Sequence, residues 1–171
     1  SCLPQTIFAT TDKKTVTTWP EGPENNSGAV CLLDADTGAV LYDKNMDEQR
    51  YPASITKVMT AMLAIEAVDR GELSLNDVIT VGSEVNREVG DGSSTQNIKE
   101  GEQIRLEDVL YCALTASANE ACNVLAQAVS GSVDDFVALM NQRAGELGME
   151  DTHFANTHGY HNEEHYTTAY D

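Results

Sequence analysis

Pro52-Ala-Ser-Ile-Thr-Lys-Val-Met-Thr60 is the stretch on which both the fold and the chemistry turn. It sets Ser54 three residues before Lys57, and apolar residues fall at Ile55, Val58, Met59, Met62, Leu63, Ile65 and Ala67. Spacings of three and four are those of a helix with one broad buried stripe. Pro52 lies where a proline suits the start of a helix, and Gly71 marks its end. The reading is an amphipathic helix with Ser54 on its first turn and Lys57 one turn further on, on a neighbouring face. A serine hydroxyl is a poor nucleophile until a base takes its proton. A lysine serves as that base only when burial or nearby positive charge pulls its pKa towards neutrality. The free N–H groups at a helix start favour negative charge building up beside them.

Ser-x-x-Lys alone carries little information, since at average residue usage about one chance match is expected in a chain this long. The plain alternative is an N-cap serine with an exposed lysine. The rest of the chain has to separate the two.

Working outward, the 171 residues suffice for one domain with a core, and 41% hydrophobic content excludes wholesale disorder. Twenty-eight acids against ten Lys and Arg leave a net charge of −18. Such a surface repels phosphate backbones, which excludes nucleic acid as a partner, and has no basic patch for anionic lipid. No apolar run approaches the roughly 20 residues of a membrane span, because Glu66 and Asp69 interrupt even the best helix. No charged-then-apolar leader opens the chain, so any export signal is expected to have been removed or omitted. The four cysteines, Cys2, Cys31, Cys112 and Cys122, show no C-x-x-C spacing, which argues against a cysteine zinc site. Cys112 and Cys122 lie in apolar helical patterns and read as small buried hydrophobes. Cys2 leaves a lipid-modified N-terminus of an exported protein open.

Residues 1–27, with Pro4, Pro20, Pro23 and a Thr-rich middle, read as an arm or linker, and 28–171 as the domain. Ala29-Val-Cys-Leu-Leu33 and Ala39-Val-Leu-Tyr42 flank Asp34-Ala-Asp-Thr-Gly38 and predict a β-hairpin. Val78-Ile-Thr-Val81 is a short strand, and 82–103 reads as loop. Three helices follow. The first carries Leu106, Val109, Leu110, Ala113 and Leu114; the second carries Ala121, Val124, Leu125, Ala128 and Val129 and stops at Gly131. The third opens on the acidic capping box Ser132-Val-Asp-Asp135 and ends at Gly148. The irregular tail from Met149 holds all four histidines.

Between the first two of these helices lies Thr115-Ala-Ser-Ala-Asn119. A Ser-x-Asn at such a corner sets a hydroxyl that can pass a proton beside an amide that can hold both a lysine and a peptide bond. Ser74-Leu-Asn76 has the same pattern, but its acidic turn reads as ordinary cap chemistry.

With Ser54-Ile-Thr-Lys57 and Ser117-Ala-Asn119 together, the chain resembles the penicillin-binding D-alanyl-D-alanine carboxypeptidases, serine enzymes of the penicilloyl-transferase superfamily. The likeness extends through Leu33-Asp-Ala-Asp-Thr-Gly-Ala-Val-Leu-Tyr42, Lys99-Glu-Gly-Glu-Gln103, Phe136-Val-Ala-Leu-Met-Asn141, Phe154-Ala-Asn-Thr-His-Gly159 and His165-Tyr-Thr-Thr-Ala-Tyr-Asp171. It covers roughly residues 28 to 171. It implies an α/β (α+β) fold of the β-lactamase/transpeptidase type: a mostly helical part plus the first hairpin of an antiparallel sheet. It implies that Ser54 attacks the carbonyl of the penultimate D-alanine of a peptidoglycan stem peptide, that Lys57 takes the serine proton, and that Ser117, held by Asn119, relays a proton to the departing D-alanine. The Ser54 N–H is then half of an oxyanion hole. β-Lactams acylate Ser54 as substrate mimics, no metal or other cofactor is implied, and the setting is extracytoplasmic.

The family's Lys-Thr-Gly or Lys-Ser-Gly motif is missing, because none of Lys13, Lys14, Lys44, Lys57 and Lys99 is followed by it. The expectation is a truncated domain with its last strands absent and an uncovered sheet edge that favours self-association. Three rival readings stand beside the carboxypeptidase. A class A β-lactamase needs a glutamate on the deacylating water, and no Glu-x-x-x-Asn lies between Ser117 and the tail. His161-Asn-Glu-Glu-His165 fits an inverted zinc-protease motif, which requires a helix that Gly159, Asn162 and Thr167-Thr168 disfavour. The third is a non-catalytic remnant of the penicillin fold that binds wall peptide or a partner.

Overall fold

The computed structural model describes residues 22–171. Cys2 and most of the predicted arm lie outside those residues, and 22–27 form neither helix nor strand. β1 (Val30–Leu33) pairs antiparallel with β2 (Val40–Lys44), as the two apolar runs predict. Asp34 builds the turn between them: its Oδ1 accepts from the Thr37 amide at 2.8 Å and from the Thr37 hydroxyl at 2.6 Å. Gly38 follows at φ +71°, which glycine adopts without a Cβ penalty.

α1 (Thr56–Asp69) forms where its spacing predicts, but the predicted buried stripe needs correction. Met59, Leu63 and Ala67 are buried, whereas Ile55, Val58 and Ile65 are 72%, 64% and 40% exposed. The inward face runs instead through Thr56, Lys57, Thr60, Ala61 and Ala64. Apolar residues surround this helix on all sides, so their spacing alone does not select a face. Small and polar side chains occupy the side against α3, where close backbone approach and a polar site are needed. Ser54 is not on α1 itself but on a 3₁₀ turn, Ala53–Ile55, that leads into it.

β3 (Val78–Thr80) pairs antiparallel with β4 (Gln103–Arg105). β4 ends the stretch that reads as loop, and three residues are too few to show an alternation. A 3₁₀ turn at Ser83–Asn86 is the other regular piece of that stretch. α2 (Leu106–Thr115), α3 (Asn119–Ser130) and α4 (Val133–Leu147) follow as predicted. Gly131, at φ +82°, ends α3, and Ser132 Oγ accepts from the Asp135 amide at 3.1 Å to cap α4.

α3 is the central element. It packs against α1, α2, α4 and the Ser83–Asn86 turn, and every residue from 119 to 126 is buried. One core cluster joins α1, α2 and α3 through Leu106, Val109, Val124 and Leu125. A second joins α1, α3 and α4 through Met59, Leu63, Phe136 and Met140. Full burial of one such side chain contributes about 1.5–3 kcal/mol. Cys122 is buried in the first cluster, as expected, and burial pushes its thiol up to about 12; Cys112 is only half-buried at the edge. From Met149 onward the chain is irregular, pinned by bridges between His153 and Tyr166 and between Arg50 and Thr167.

Candidate active site

The 3₁₀ turn, the α2–α3 corner and the C-terminal segment converge on one cleft of about 290 Å³ lined by Ser54, Ser93, Asn119, Gly159 and Tyr160 among others. Ala53 enters the turn at φ +47° and Ser117 sits in the corner at φ +54°. Left-handed backbone at a residue other than glycine costs of order 1–3 kcal/mol and collects at functional sites. Here it sits beside one hydroxyl and at another, and the two meet: Ser117 Oγ donates to Ser54 Oγ at 2.9 Å. Lys57 Nζ donates to the same Ser54 oxygen, also at 2.9 Å.

Lys57 is 3% exposed, and its amine has one other anchor, the His158 carbonyl at 2.9 Å. Burial is the main cause that lowers the lysine's pKa below the ordinary range, with Cys122 and Glu120 acting against it. An amine less willing to hold its proton, in contact with a hydroxyl, is the arrangement that general-base activation of serine requires. Asn119 opens α3. Its N–H donates to the Ser94 carbonyl at 2.9 Å and its Nδ2 to Ser93 Oγ at 3.0 Å. Its amide therefore holds the cleft wall rather than Lys57. Ser54 Oγ is in contact with both Lys57 and Ser117, and Asn119 lines the same cleft as Ser54.

Several groups that support the cleft were not legible as functional. Gly159, at φ +90°, presses on the turn that carries Ser54: a Cβ there would sit 1.7 Å from the Ala53 carbonyl oxygen. Thr60 Oγ1 donates to the Thr157 carbonyl at 2.5 Å, and Thr157 Oγ1 to Asn123 Oδ1 at 2.6 Å. Asn123 Nδ2 then donates to the Val85 and Arg87 carbonyls at 3.1 and 2.9 Å. This buried chain ties α1, α3, the Ser83–Asn86 region and the C-terminal segment together beneath the site. Gly90-Asp-Gly-Ser-Ser94 announced only a turn, and nothing in it singled out Ser93 as the partner of Asn119.

The histidines behave as packing and hydrogen-bonding groups. His165 Nδ1 accepts from the Ala155 amide at 2.9 Å, so Nε2 carries the proton and donates to Thr56 Oγ1 at 2.7 Å. His158 Nδ1 likewise accepts from the Tyr160 amide at 3.1 Å, and Nε2 donates to the Arg87 carbonyl at 3.3 Å. The helix that His161-x-x-x-His165 needs in order to bind zinc is not formed. His161 packs edge-on against Tyr51, with ring centroids 4.7 Å apart, while His165 is buried against Thr56. Among the described residues no group of three His, Cys, Asp or Glu is placed to hold a metal ion. Ser74-Leu-Asn76 is a turn, with the Ser74 amide on Asp77 at 2.7 Å and the Asn76 amide on Ser74 Oγ at 3.3 Å.

Comparison with known proteins follows the same lines. The fold is that of the penicillin-binding and transpeptidase proteins: penicillin-binding protein 6B from Escherichia coli superposes with a TM-score of 0.83 at 34% identity, covering 92% of this chain and 50% of that one. The chain belongs to the Peptidase_S11 family, D-alanyl-D-alanine carboxypeptidase, whose match covers residues 14–171. Among curated relatives, D-alanyl-D-alanine carboxypeptidase DacF of Bacillus subtilis is 39% identical over 140 residues, 82% of this chain and 35% of the relative. DacD of Salmonella typhimurium is 37% identical over 155 residues, 89% of this chain and 40% of the relative. The chain thus spans well under half the length of either curated relative.

Proposed function

We propose that this chain carries the acylation machinery of a serine-type D-alanyl-D-alanine carboxypeptidase. Ser54 Oγ attacks the carbonyl of the penultimate D-alanine while its proton passes to the Lys57 amine. The C–N bond to the terminal D-alanine breaks, and Ser117 hands a proton to the departing amine nitrogen. Asn119, fixed by Ser93, borders the bound peptide, and the Ser54 N–H faces the developing oxyanion. Water then attacks the ester carbonyl and frees Ser54. A β-lactam opens on the same oxygen. The observation that carries this reading is the contact of a buried lysine amine with Ser54 Oγ, with Ser117 on the same oxygen.

The substrate in this reading is a peptidoglycan stem peptide, so the protein acts outside the cytoplasmic membrane. In the same reading two copies associate along β1, where Leu32 and Leu33 are 51% and 41% exposed, once salt screens the charge of −18. Sedimentation velocity at two salt concentrations reads this.

A fluorescent penicillin tests the chemistry. The unaltered chain takes a covalent label, and Ser54→Ala takes none. A label that persists in Ser54→Ala places the nucleophile elsewhere. The alternative reading is a wall-peptide-binding module without turnover. Peptide binding without any label favours that module.

A further inference from the structure

Next to the cleft-lining Asn119 lies one buried carboxyl group that neither serine motif includes. Glu120, second residue of α3, is 1% exposed. Its Oε1 accepts from Thr95 Oγ1 at 2.8 Å, from the Gln96 amide at 2.5 Å and from the Ile98 amide at 3.4 Å. Its Oε2 is buried and bonded to no group among the described residues. One residue earlier, Asn119 holds Ser93 and Ser94. Five successive contacts therefore lash residues 93–98 to the first turn of α3, at Ser93, Ser94, Thr95, Gln96 and Ile98.

A buried carboxylate is costly unless it is paired or does something for the site. Ser93 and Ser94, the two residues that Asn119 holds, line the same cleft as Ser54. Three titratable groups are electrostatically coupled to the Lys57 amine: Glu120 and Cys122 from α3, and His158 from the C-terminal segment. Burial holds the Cys122 thiol protonated and the His158 ring neutral at pH 7. Glu120 acts on the amine in the direction that favours its protonated form.

We propose that Glu120 is the positioning residue of this site: its carboxylate clamps the 95–98 segment so that Ser93 holds Asn119 in place, and it is the counter-charge against which Lys57 works. Lys57 is desolvated by the core, and without an anion nearby its amine would be a weaker base than the reaction needs. With Glu120 present, the amine keeps enough basicity to take the serine proton. The assignment rests on reading Lys57 as the base.

Lysine labelled with ¹³C at Cε allows a direct test in the whole chain, because its five lysines give few signals and Lys57→Arg identifies the relevant one. In Glu120→Gln the Lys57 titration midpoint falls by about one unit, the scale a nearby opposite charge supplies. In Thr95→Ala, which removes a clamp donor and keeps the charge, the midpoint stays where it was. Amide exchange at Gln96 and Ile98 rises about tenfold or more in Glu120→Ala, as expected when a closed segment is released. It stays slow in Glu120→Gln, whose amide oxygen still accepts. Equal midpoints in the unaltered chain and Glu120→Gln overturn the electrostatic role, and unchanged exchange in Glu120→Ala overturns the clamp. Should Glu120→Gln fail to fold, Glu120→Asp replaces it: the proposal expects a retained midpoint with faster exchange at Gln96, and a fallen midpoint there overturns it. Neither readout needs turnover. Failure of penicillin labelling in the unaltered chain therefore counts against the proposed function, and failure of these shifts counts against Glu120.

Discussion

At the residue scale, Lys57 carries two opposing demands. Its amine is removed from water, which disfavours the ammonium form, yet it keeps hydrogen bonds to Ser54 Oγ and the His158 carbonyl that fix its direction. Burial lowers its hold on a proton, and the two bonds aim it. Lys57→Met keeps the length and apolar stem but removes the base. Penicillin labelling then falls by about 10²–10⁴-fold, the usual contribution of a positioned proton acceptor. Circular dichroism stays as in the unaltered chain, because the methionine fills the same buried volume. A labelling rate within a few-fold of the unaltered chain assigns the proton transfer to another group. Ser117 is the other hydroxyl in contact with Ser54 and the natural candidate in that event.

At the scale of elements, the site is assembled from pieces distant in sequence and held by polar contacts buried beneath it. Asn123 is the junction. Its side chain bonds Thr157 Oγ1 and the Val85 and Arg87 carbonyls, so α3 holds the Ser83–Asn86 region and the segment that carries His158. Asn123→Ala leaves a buried hydroxyl and two carbonyls without their partner. At about 1–3 kcal/mol for each unsatisfied buried group, partly relieved by water, the loss is about 2–4 kcal/mol in urea unfolding. Acylation slows as well, because the His158 carbonyl that anchors Lys57 loses its support. A loss under about 0.5 kcal/mol shows that the network is not the junction described. The same elements show what could be read from the chain. The hairpin, the four helices and their glycine stops are periodic or punctuated, and Ser54, Lys57, Ser117 and Asn119 sit at recognisable spacings. The inward face of α1 was not readable, since aliphatics occur all around it and only the partner helix chooses. Nor were Ser93, Glu120, Asn123 and Gly159. Their roles lie in contacts 22 to 106 residues away along the chain, as Glu120 against Ile98 and Gly159 against Ala53 illustrate, and local pattern holds no record of these.

At the scale of the whole molecule, two buried neutral histidines make stability depend on pH. His158 and His165 are pushed from 6.5 to about 4, chiefly by burial. The neighbouring Lys57 adds to this for His158, and His158 and His153 add to it for His165. In the unfolded chain both rings take up protons as pH falls through 6.5, while in the folded chain they stay neutral until about 4. The unfolded state therefore binds more protons in that window, and stability rises with pH across it. It is fully present above about 6.5 and lost progressively towards 4. Each unit of separation is worth about 1.4 kcal/mol, so each ring costs up to about 3 kcal/mol once both states are charged. The 28 acids complicate the lower end, because they begin to protonate near pH 4 and relieve the self-repulsion of a chain at −18. Between pH 6.5 and 5 the shifts of the two buried rings fall squarely in the window. Urea midpoints measured over that interval should fall as pH falls, by an amount equivalent to about 2 kcal/mol per ring. His165→Gln, which keeps a donor for Thr56 and removes one titrating ring, should roughly halve the slope. A flat profile in the unaltered chain means that the two rings are not held neutral, and that the packing of the C-terminal segment against α1 is looser than its hydrogen bonds indicate.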